Sequence, residues 1–380
     1  MGCSSVENEV NKKANEPIEH KQKVNKTNKI NINTLTNYEN VIIKKTNKKK
    51  KEPNIENNNS DYNISEKENV NNDISSFCII NDTDQPCNDL SQIYKYYKTL
   101  QNNNEKITFI LELKSGMIAS GTYEGKIYIW IPEQDYCLKY FQEVGEILCM
   151  LEMEKDKILS GTIQANIGLR DINNSNPDDF SFNFIGHSGY VNSLVQCNDE
   201  IFASASNDAT IKIWDYYQRK EIRTIKGHED CILTLIKLKN GNLCSGSADY
   251  SIKFWEWETG ICLKEIKNAH KGYIVSLCEF ENGILISGSM EKEIKIWKEE
   301  ECIKELYGHE NAIRIICKID ENLFVSGSLD NSIKIWNIKD FKCCQTLKGH
   351  TSNVTGIIKL SNNNLMSCSL DSSIKIWAQN

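Results

Sequence analysis

The sequence lacks the short motifs that mark most metal sites, phosphate sites and hydrolase active sites. It contains no CxxC pair, no cluster of Cys and His at zinc spacing, and no calcium-binding loop. It also has no Gly-rich phosphate loop, no GxSxG motif and no zincin motif. No run of 18 apolar residues is present, so we predict no membrane-spanning helix. We therefore expect no metal, no cofactor and no small-molecule substrate.

The chain has few features of a secreted or a nucleic-acid-binding protein. Its formal net charge of −7 gives no general attraction to nucleic acid, so we expect no such partner. Fifteen Cys would suit a disulfide scaffold, but no signal peptide begins the sequence. Most Cys lie in apolar runs, where a thiol behaves as a small buried hydrophobe: Cys149, Cys244, Cys278, Cys317 and Cys368. We expect a reducing, cytoplasmic location.

What the sequence does contain is one pattern that recurs seven times. A Ser stands four residues before an Asp, and a Trp stands six residues after it, as in Ser326, Asp330 and Trp336. The Trp position falls at residues 130, 170, 214, 255, 297, 336 and 377, a period of 39 to 44 residues. Such a period indicates a repeat architecture. The acid is Glu in copy one (Glu124) and in copy five (Glu291). Copy two has lost both residues, with Gln164 at the acid position and Arg170 at the Trp position.

Each copy predicts four short strands separated by turns. In copy four, the apolar run Cys231–Lys237 ends at an Asn-Gly turn, and Leu243–Ser247 follows it. Ser251–Trp255 then alternates apolar and polar residues, and Ile261–Ile266 completes the copy. Strands of about five residues joined by tight turns at regular spacing indicate an all-β fold.

With these offsets, the chain resembles the WD-repeat β-propellers. A Gly-His pair stands upstream of the Ser in four copies, and its His residues are His187, His228, His309 and His350. Ala269-His270 nearly matches this pair in a fifth copy. The resemblance covers residues 92–380 and implies a seven-bladed propeller. Residues 93–101 align without gaps with the outer strand that precedes copy seven. We predict that they supply the last blade's missing strand and so close the ring.

The recurring Ser, His and Asp resemble a hydrolase triad, which needs a Ser activated by a His that an acid orients. Four or five copies of the set favour a structural role instead. The resemblance implies a buried hydrogen-bonded brace within each blade, and losing one member would cost about 1–3 kcal/mol. The brace residues are His187, Ser204, Asp208, Trp214, His228, Ser245, Asp249, Trp255, His270, Ser287, Trp297, His309, Ser326, Asp330, Trp336, His350, Ser367, Asp371 and Trp377.

Blades one and two lack this brace, because Asn103 replaces the His of blade one and Arg170 replaces the Trp of blade two. Two interpretations stay open. One is sequence drift at the ring's seam, and the other is a specialised sector that contacts a partner.

The resemblance also implies a binding face at one end of the ring, lined by three positions in each blade. Tyr and Arg are favoured anchors at protein interfaces, so we predict protein or peptide binding there. The alternative is that some of these residues merely pack at the rim. The predicted partner-binding residues are Tyr123, Tyr190, Tyr273, Met290, Arg314, Leu329 and Leu370.

Residues 1–91 have a different composition, dominated by Asn and Lys, and show no lasting apolar period. We predict a disordered tail, because such a segment buries too little apolar surface to fold. Its start, with Gly2 and Cys3, resembles sites of myristoylation and palmitoylation, although Val6 departs from the expected Ser or Thr. The alternative is an ordinary Met-Gly start.

Lys44 to Lys51 includes six Lys in eight residues. This run is either a solvated charge run, a contact with an anionic membrane surface that reinforces the acyl chains, or a nuclear-import patch. With acylation, we expect a peripheral position on a membrane's cytoplasmic face.

We thus predict a non-catalytic scaffold that binds a protein on its top face. Two alternatives remain: a substrate-recognition subunit of a larger complex such as a ubiquitin ligase, and an enzyme without a recognisable motif.

Overall fold

A computed structural model of the chain describes residues 93–101, 104–134, 136–174 and 182–380. These residues form β-strands β1 to β28 and one short 3-10 turn, Glu281–Gly283. Nowhere in these ranges is there an α-helix, and so no helix long and apolar enough to cross a membrane. The predicted tail, with Gly2, Cys3 and Lys44 to Lys51, lies outside the described residues, as do the predicted domain boundary at 91/92 and Asn103.

The strands form seven antiparallel sheets of four strands each, which are the blades. The first strand of the chain, β1 (Tyr94–Gln101), belongs to blade seven. In chain order, blades one to three contain β2 (Ile107–Glu112), β3 (Ile118–Thr122), β4 (Lys126–Ile131) and β5 (Tyr136–Gln142); β6 (Ile147–Glu154), β7 (Lys157–Thr162), β8 (Asn166–Asp171) and β9 (Phe182–Ile185); β10 (Val191–Gln196), β11 (Ile201–Ser206), β12 (Thr210–Asp215) and β13 (Lys220–Lys226).

The remaining four blades repeat this order. They contain β14 (Ile232–Lys237), β15 (Leu243–Ser247), β16 (Ile252–Glu256) and β17 (Ile261–Ile266); β18 (Ile274–Glu279), β19 (Ile284–Ser289), β20 (Ile294–Lys298) and β21 (Glu301–Leu306); β22 (Ile313–Lys318), β23 (Leu323–Ser328), β24 (Ile333–Asn337) and β25 (Lys342–Leu347); β26 (Val354–Lys359), β27 (Leu365–Ser369) and β28 (Ser373–Gln379), with β1.

The blades form a closed ring. The first strand of each blade contacts the first strand of the next, and β26 of blade seven contacts β2 of blade one. The prediction of an all-β, seven-bladed propeller is confirmed.

Strand β1 closes blade seven as predicted from the alignment. It pairs antiparallel with β28, with Tyr96 opposite Trp377 and Leu100 opposite Ile374. Gln345 on β25 also holds this strand, since its side-chain oxygen accepts the Tyr94 N–H at 3.0 Å and its amide donates to the Tyr94 carbonyl at 2.5 Å. The two ends of the described chain are thus fixed to one another.

Small residues in the second strand of each blade let neighbouring blades pack closely. Strand β3 is fully buried, and a Cβ added at Gly121 would lie 2.5 Å from the Ile147 side chain of the next blade. Gly327 on β23 meets Val354 in the same way, at 2.7 Å. The third strands supply Ile and Trp to cores that each combine residues of two adjacent blades, for example Phe280 and Trp336. The interior therefore consists of seven interfaces between blades.

Candidate functional site

A hydrogen-bonded chain of four side chains connects the elements of blade three. His187 precedes the first strand, and its Nδ1 lies 2.8 Å from Asp208 Oδ2 in the turn after the second strand. His187 Nε2 lies 2.7 Å from Ser204 Oγ in the second strand. Trp214, in the third strand, donates its indole N–H to the same oxygen at 2.8 Å. One loop, one turn and two strands are therefore held together.

Blades four, six and seven contain the same chain with nearly the same geometry. The His Nδ1 to Asp distances are 2.7, 2.7 and 2.9 Å, and the His Nε2 to Ser distances are 2.7, 2.7 and 2.8 Å. The Trp N–H donates to the Ser oxygen at 2.8, 2.8 and 2.9 Å. The residues are His228, Asp249, Ser245 and Trp255; His309, Asp330, Ser326 and Trp336; His350, Asp371, Ser367 and Trp377.

The environment of these groups suits a structural role and not catalysis. The four Ser residues are 0% exposed, so a substrate cannot reach their hydroxyls. Burial alone would raise the pKa of each Asp, but hydrogen bonds from the His and from a hydroxyl outweigh it and lower the pKa below its usual value. Each carboxylate is therefore ionised at neutral pH and fully engaged.

Blade five keeps the chain but takes its acid from another position. His270 Nδ1 lies 3.1 Å from Glu293 Oε1, His270 Nε2 lies 2.6 Å from Ser287 Oγ, and Trp297 donates to that oxygen at 2.7 Å. Glu291, which stands at the Asp position of the repeat, is exposed, and Glu293 supplies the acid instead. Glu293 stands where blades three, four, six and seven have Ser or Thr, and its longer side chain reaches the imidazole from there.

Blade two has a different buried contact in place of the Trp. Arg170 Nε donates to Glu143 Oε1 at 2.7 Å, and both side chains are 1% exposed. Burial raises the pKa of Glu143, and the guanidinium partly offsets that shift. Sequence reasoning missed Glu143. Its position in the sequence could have revealed it. Glu143 directly follows the outer strand, at the place where most other blades have the Gly of the Gly-His pair.

The predicted top-face positions do come together at one edge of each blade. The residue after the second strand donates its N–H to the carbonyl of the residue before the first strand. Tyr123 N–H thus donates to Lys106 at 3.0 Å, and Met290 N–H donates to Tyr273 at 3.0 Å. The same bond links Leu329 to Ala312, Leu370 to Asn353 and Asn207 to Tyr190.

The top-face side chains differ in how much surface they offer a partner. Tyr123, Tyr190, Met290, Arg314, Leu329 and Leu370 are half-buried. Tyr273 is only 8% exposed, and its ring stacks on that of Tyr250 with centroids 5.8 Å apart. Tyr273 therefore contributes less to this face than the sequence suggested.

Charged side chains of blades one, two and six lie close enough on the top face to influence one another electrostatically. Burial raises the pKa of Glu146 to about 7, and Glu124 adds to the shift. The cations Arg314 and Lys106 act in the opposite direction. Lys106 also lies 5.7 Å from the centroid of the Tyr123 ring. Glu146 can therefore change its charge near neutral pH. In the described parts of the chain, no group of three or more His, Cys, Asp or Glu could hold a metal ion.

A family model described as "WD domain, G-beta repeat" matches residues 179–215, 219–256, 300–337 and 341–378. These are the repeats of blades three, four, six and seven, which share the same His–Asp–Ser–Trp geometry. The chain therefore contains four WD repeats within its seven-bladed propeller. The matched segments leave out the repeats of blades one, two and five, which are the blades that depart from the common brace.

The fold also resembles that of a solved WD-repeat propeller. The WD40 β-propeller domain of Doa1 superposes with a TM-score of 0.69 at 21% identity, covering 76% of this chain and 97% of that chain. At this identity the similarity concerns the fold alone.

Curated relatives match only parts of the chain. Mitochondrial division protein 1 of Eremothecium gossypii is 25% identical over 28% of this chain and 17% of its own length. Ribosome biogenesis protein YTM1 of Scheffersomyces stipitis is 34% identical over 21% of this chain and 18% of its own. Target of rapamycin complex subunit LST8 of Saccharomyces cerevisiae is 32% identical over 27% and 34%. The chain thus spans about a third or less of these relatives. Its WD repeats indicate a protein-interaction scaffold.

Proposed function

We propose that this propeller is a non-catalytic scaffold that binds a protein or peptide on its top face. The observation that supports the proposal is the set of half-buried Tyr, Arg and Met side chains that blades one, three, five and six bring to the same end of the ring. Tyr123, Tyr190, Met290 and Arg314 combine apolar area with polar tips, the composition favoured at the centre of protein interfaces. A variant with Tyr123, Tyr190 and Arg314 changed to Ala tests the proposal, because it should fold but lose its partner. Turnover of any substrate by the purified protein would contradict a non-catalytic role.

A membrane tether is the second part of the proposal. Gly2 and Cys3 would carry acyl chains, and the Lys44 to Lys51 run would contact anionic headgroups. The support comes from the sequence, since one acyl chain alone holds a protein weakly and a basic run supplies the second signal. Fractionation of cells that express Gly2→Ala tests it. Membrane binding equal to that of the wild type would refute the tether and leave the top-face proposal standing.

Substrate recognition for a ubiquitin ligase is the alternative within the binding class. E3 ubiquitin-protein ligase COP1 of Pisum sativum is 28% identical over 30% of this chain and 17% of its own length. Recovery of a ubiquitin ligase among partners that depend on the top face would favour this alternative. Recovery of partners without one would exclude it.

A further inference from the structure

Blade six contains a cavity of about 360 Å³ on its outer part. The turn that leads into β22, the third strand β24 and the outer strand β25 form its walls. The residues that matter for its chemistry are Glu310, Asp330, Lys334, Cys343, Thr346 and Lys348.

A buried ammonium group lies in the wall of this cavity without a carboxylate partner. Lys334 is 8% exposed. Its Nζ donates to Thr346 Oγ1 at 3.1 Å and forms no ion pair within the described residues. Burying a charged group without a counter-ion costs free energy. An anion that binds beside the Lys334 ammonium group would therefore be stabilised.

The equivalent Lys in three other blades shows what normally occupies this position. Lys212 lies 2.7 Å from Glu221 in blade three, and Lys253 lies 2.7 Å from Glu265 in blade four. In blade five the equivalent Lys295 lies 2.9 Å from Glu305. In each case the carboxylate comes from the outer strand of the same blade. Thr346 stands at the place of Glu265, and its short side chain leaves the carboxylate position open.

Blades three and seven also have a Thr at this place. In blade three the carboxylate comes instead from Glu221, which lies opposite Trp214. Blade seven fills the space differently. Lys375 donates to Thr99 at 3.1 Å and lies 5.5 Å from the centroid of the Tyr96 ring. Tyr96 pairs with Trp377, whereas the residue that pairs with Trp336 in blade six is Cys343. The small Cys side chain replaces the aromatic cover. Blade six therefore combines an ammonium group without a carboxylate and open space beside it.

We propose that this cavity receives the carboxylate of an Asp or Glu side chain from a protein partner. The carboxylate would take the place that Glu265 holds against Lys253 in blade four. A carboxylate fits better than a phosphate, because Glu310 and Asp330 also line the cavity and disfavour a doubly charged anion. The proposal deepens the proposed function, on which it rests for the protein partner, and it adds a second contact away from the top face.

Nuclear magnetic resonance titration of the full-length, ¹⁵N-labelled protein tests the site directly. The probe is N-acetylglutamic acid α-amide, and the neutral control is N-acetylglutamine amide. We expect saturable shifts of the Lys334 and Lys348 amide signals with the probe and not with the control. Lys334→Met keeps the aliphatic stem but removes the charge, and Thr346→Glu supplies the internal carboxylate of the other blades. Both variants should lose the saturable shifts.

Blade four provides a gain-of-site variant. It already has a small Cys262 opposite Trp255, so it differs from blade six at this point mainly through Glu265. We expect Glu265→Thr to create saturable shifts at Lys253 with the same probe. This result does not depend on whether the blade-six variants fold.

Three outcomes would overturn the proposal: no saturable shift at Lys334 in the wild type, equal binding by Lys334→Met, or tighter binding of inorganic phosphate than of the probe. The top-face variant of Tyr123, Tyr190 and Arg314 should bind the probe as the wild type does. Failure of the cavity and failure of the top face are therefore distinguishable.

Discussion

The guanidinium of Arg170 and the carboxylate of Glu143 form an ion pair of 2.7 Å inside blade two. Arg170 occupies the Trp position and Glu143 the Gly position of the repeat. In blade four the corresponding residues are in close contact, since a Cβ at Gly227 would lie 2.9 Å from the Trp255 ring. A Cβ at Gly168 would lie only 2.9 Å from the Glu143 carboxylate. The absence of a side chain at Gly168 therefore leaves room for this carboxylate. Blade two thus differs by a coordinated replacement, which does not fit unconstrained drift.

Breaking this pair should strongly destabilise the protein. Glu143→Ala leaves a buried guanidinium without its counter-ion, and we expect a loss of about 3–5 kcal/mol. The measurement is the midpoint of chemical denaturation. The double variant Glu143→Gly/Arg170→Trp restores the common arrangement and should be more stable than Glu143→Ala. A midpoint for Glu143→Ala equal to that of the wild type would contradict a structural role for the pair.

The brace predicts a specific cost for losing its central hydroxyl. Ser204→Ala removes the partner of both the Trp214 N–H and His187, so we expect a loss of about 1–3 kcal/mol in unfolding free energy. The exposed Ser115→Ala is the control and should change stability by about 0.5 kcal/mol or less. Equal stability of the two variants would show that the brace contributes little.

Blade five offers a matched pair of acids. Glu293→Gln removes the carboxylate that contacts His270, whereas Glu291→Gln changes an exposed side chain two residues earlier. We expect only Glu293→Gln to lower stability at pH 7. The hydrogen bond with His270 lowers the pKa of Glu293 from 4.5, so its stabilisation is present above that value and is lost as the pH falls through the lower, folded value. A larger effect from Glu291→Gln would contradict the geometry.

Glu146 should give the opposite pH dependence. Its pKa is raised from 4.5 to about 7 in the folded protein, so the folded state binds a proton more tightly than the unfolded state. Its ionisation therefore costs stability as the pH rises through this window. We expect Glu146→Gln to gain stability relative to the wild type between pH 5 and about pH 8. Thermal melting across this range measures the difference, and a constant difference would contradict the raised pKa.

Most of the fold could be predicted from the sequence, because each blade repeats the same turn and strand chemistry. The period of the Trp position gave the blade count, and the alignment of residues 93–101 identified the closing strand. The acid of blade five could not be predicted in this way. Whether Glu293 or Glu291 reaches His270 depends on side-chain length and on the path of the turn, which spacing alone does not contain.

The candidate site was less predictable than the fold. Offsets from the His identified which positions share an edge, but not how exposed they are. Tyr273 is covered because Tyr250, a residue with φ of 68° in a neighbouring turn, stacks on it. The blade-six cavity depends on which residues lie opposite Trp336 and Lys334 across strands, and the sequence does not show that register directly.

The measurement that tests the central claim most directly is co-purification from native cells. The wild type would be compared with the Tyr123→Ala/Tyr190→Ala/Arg314→Ala variant. The matched control changes Tyr136, Tyr217 and Arg223 to Ala, three exposed residues away from the top face. All three proteins should show the same melting temperature and circular dichroism. A top-face function predicts that only the top-face variant loses a defined set of partners. Retention of every partner by that variant, or an equal loss from the control, would contradict it.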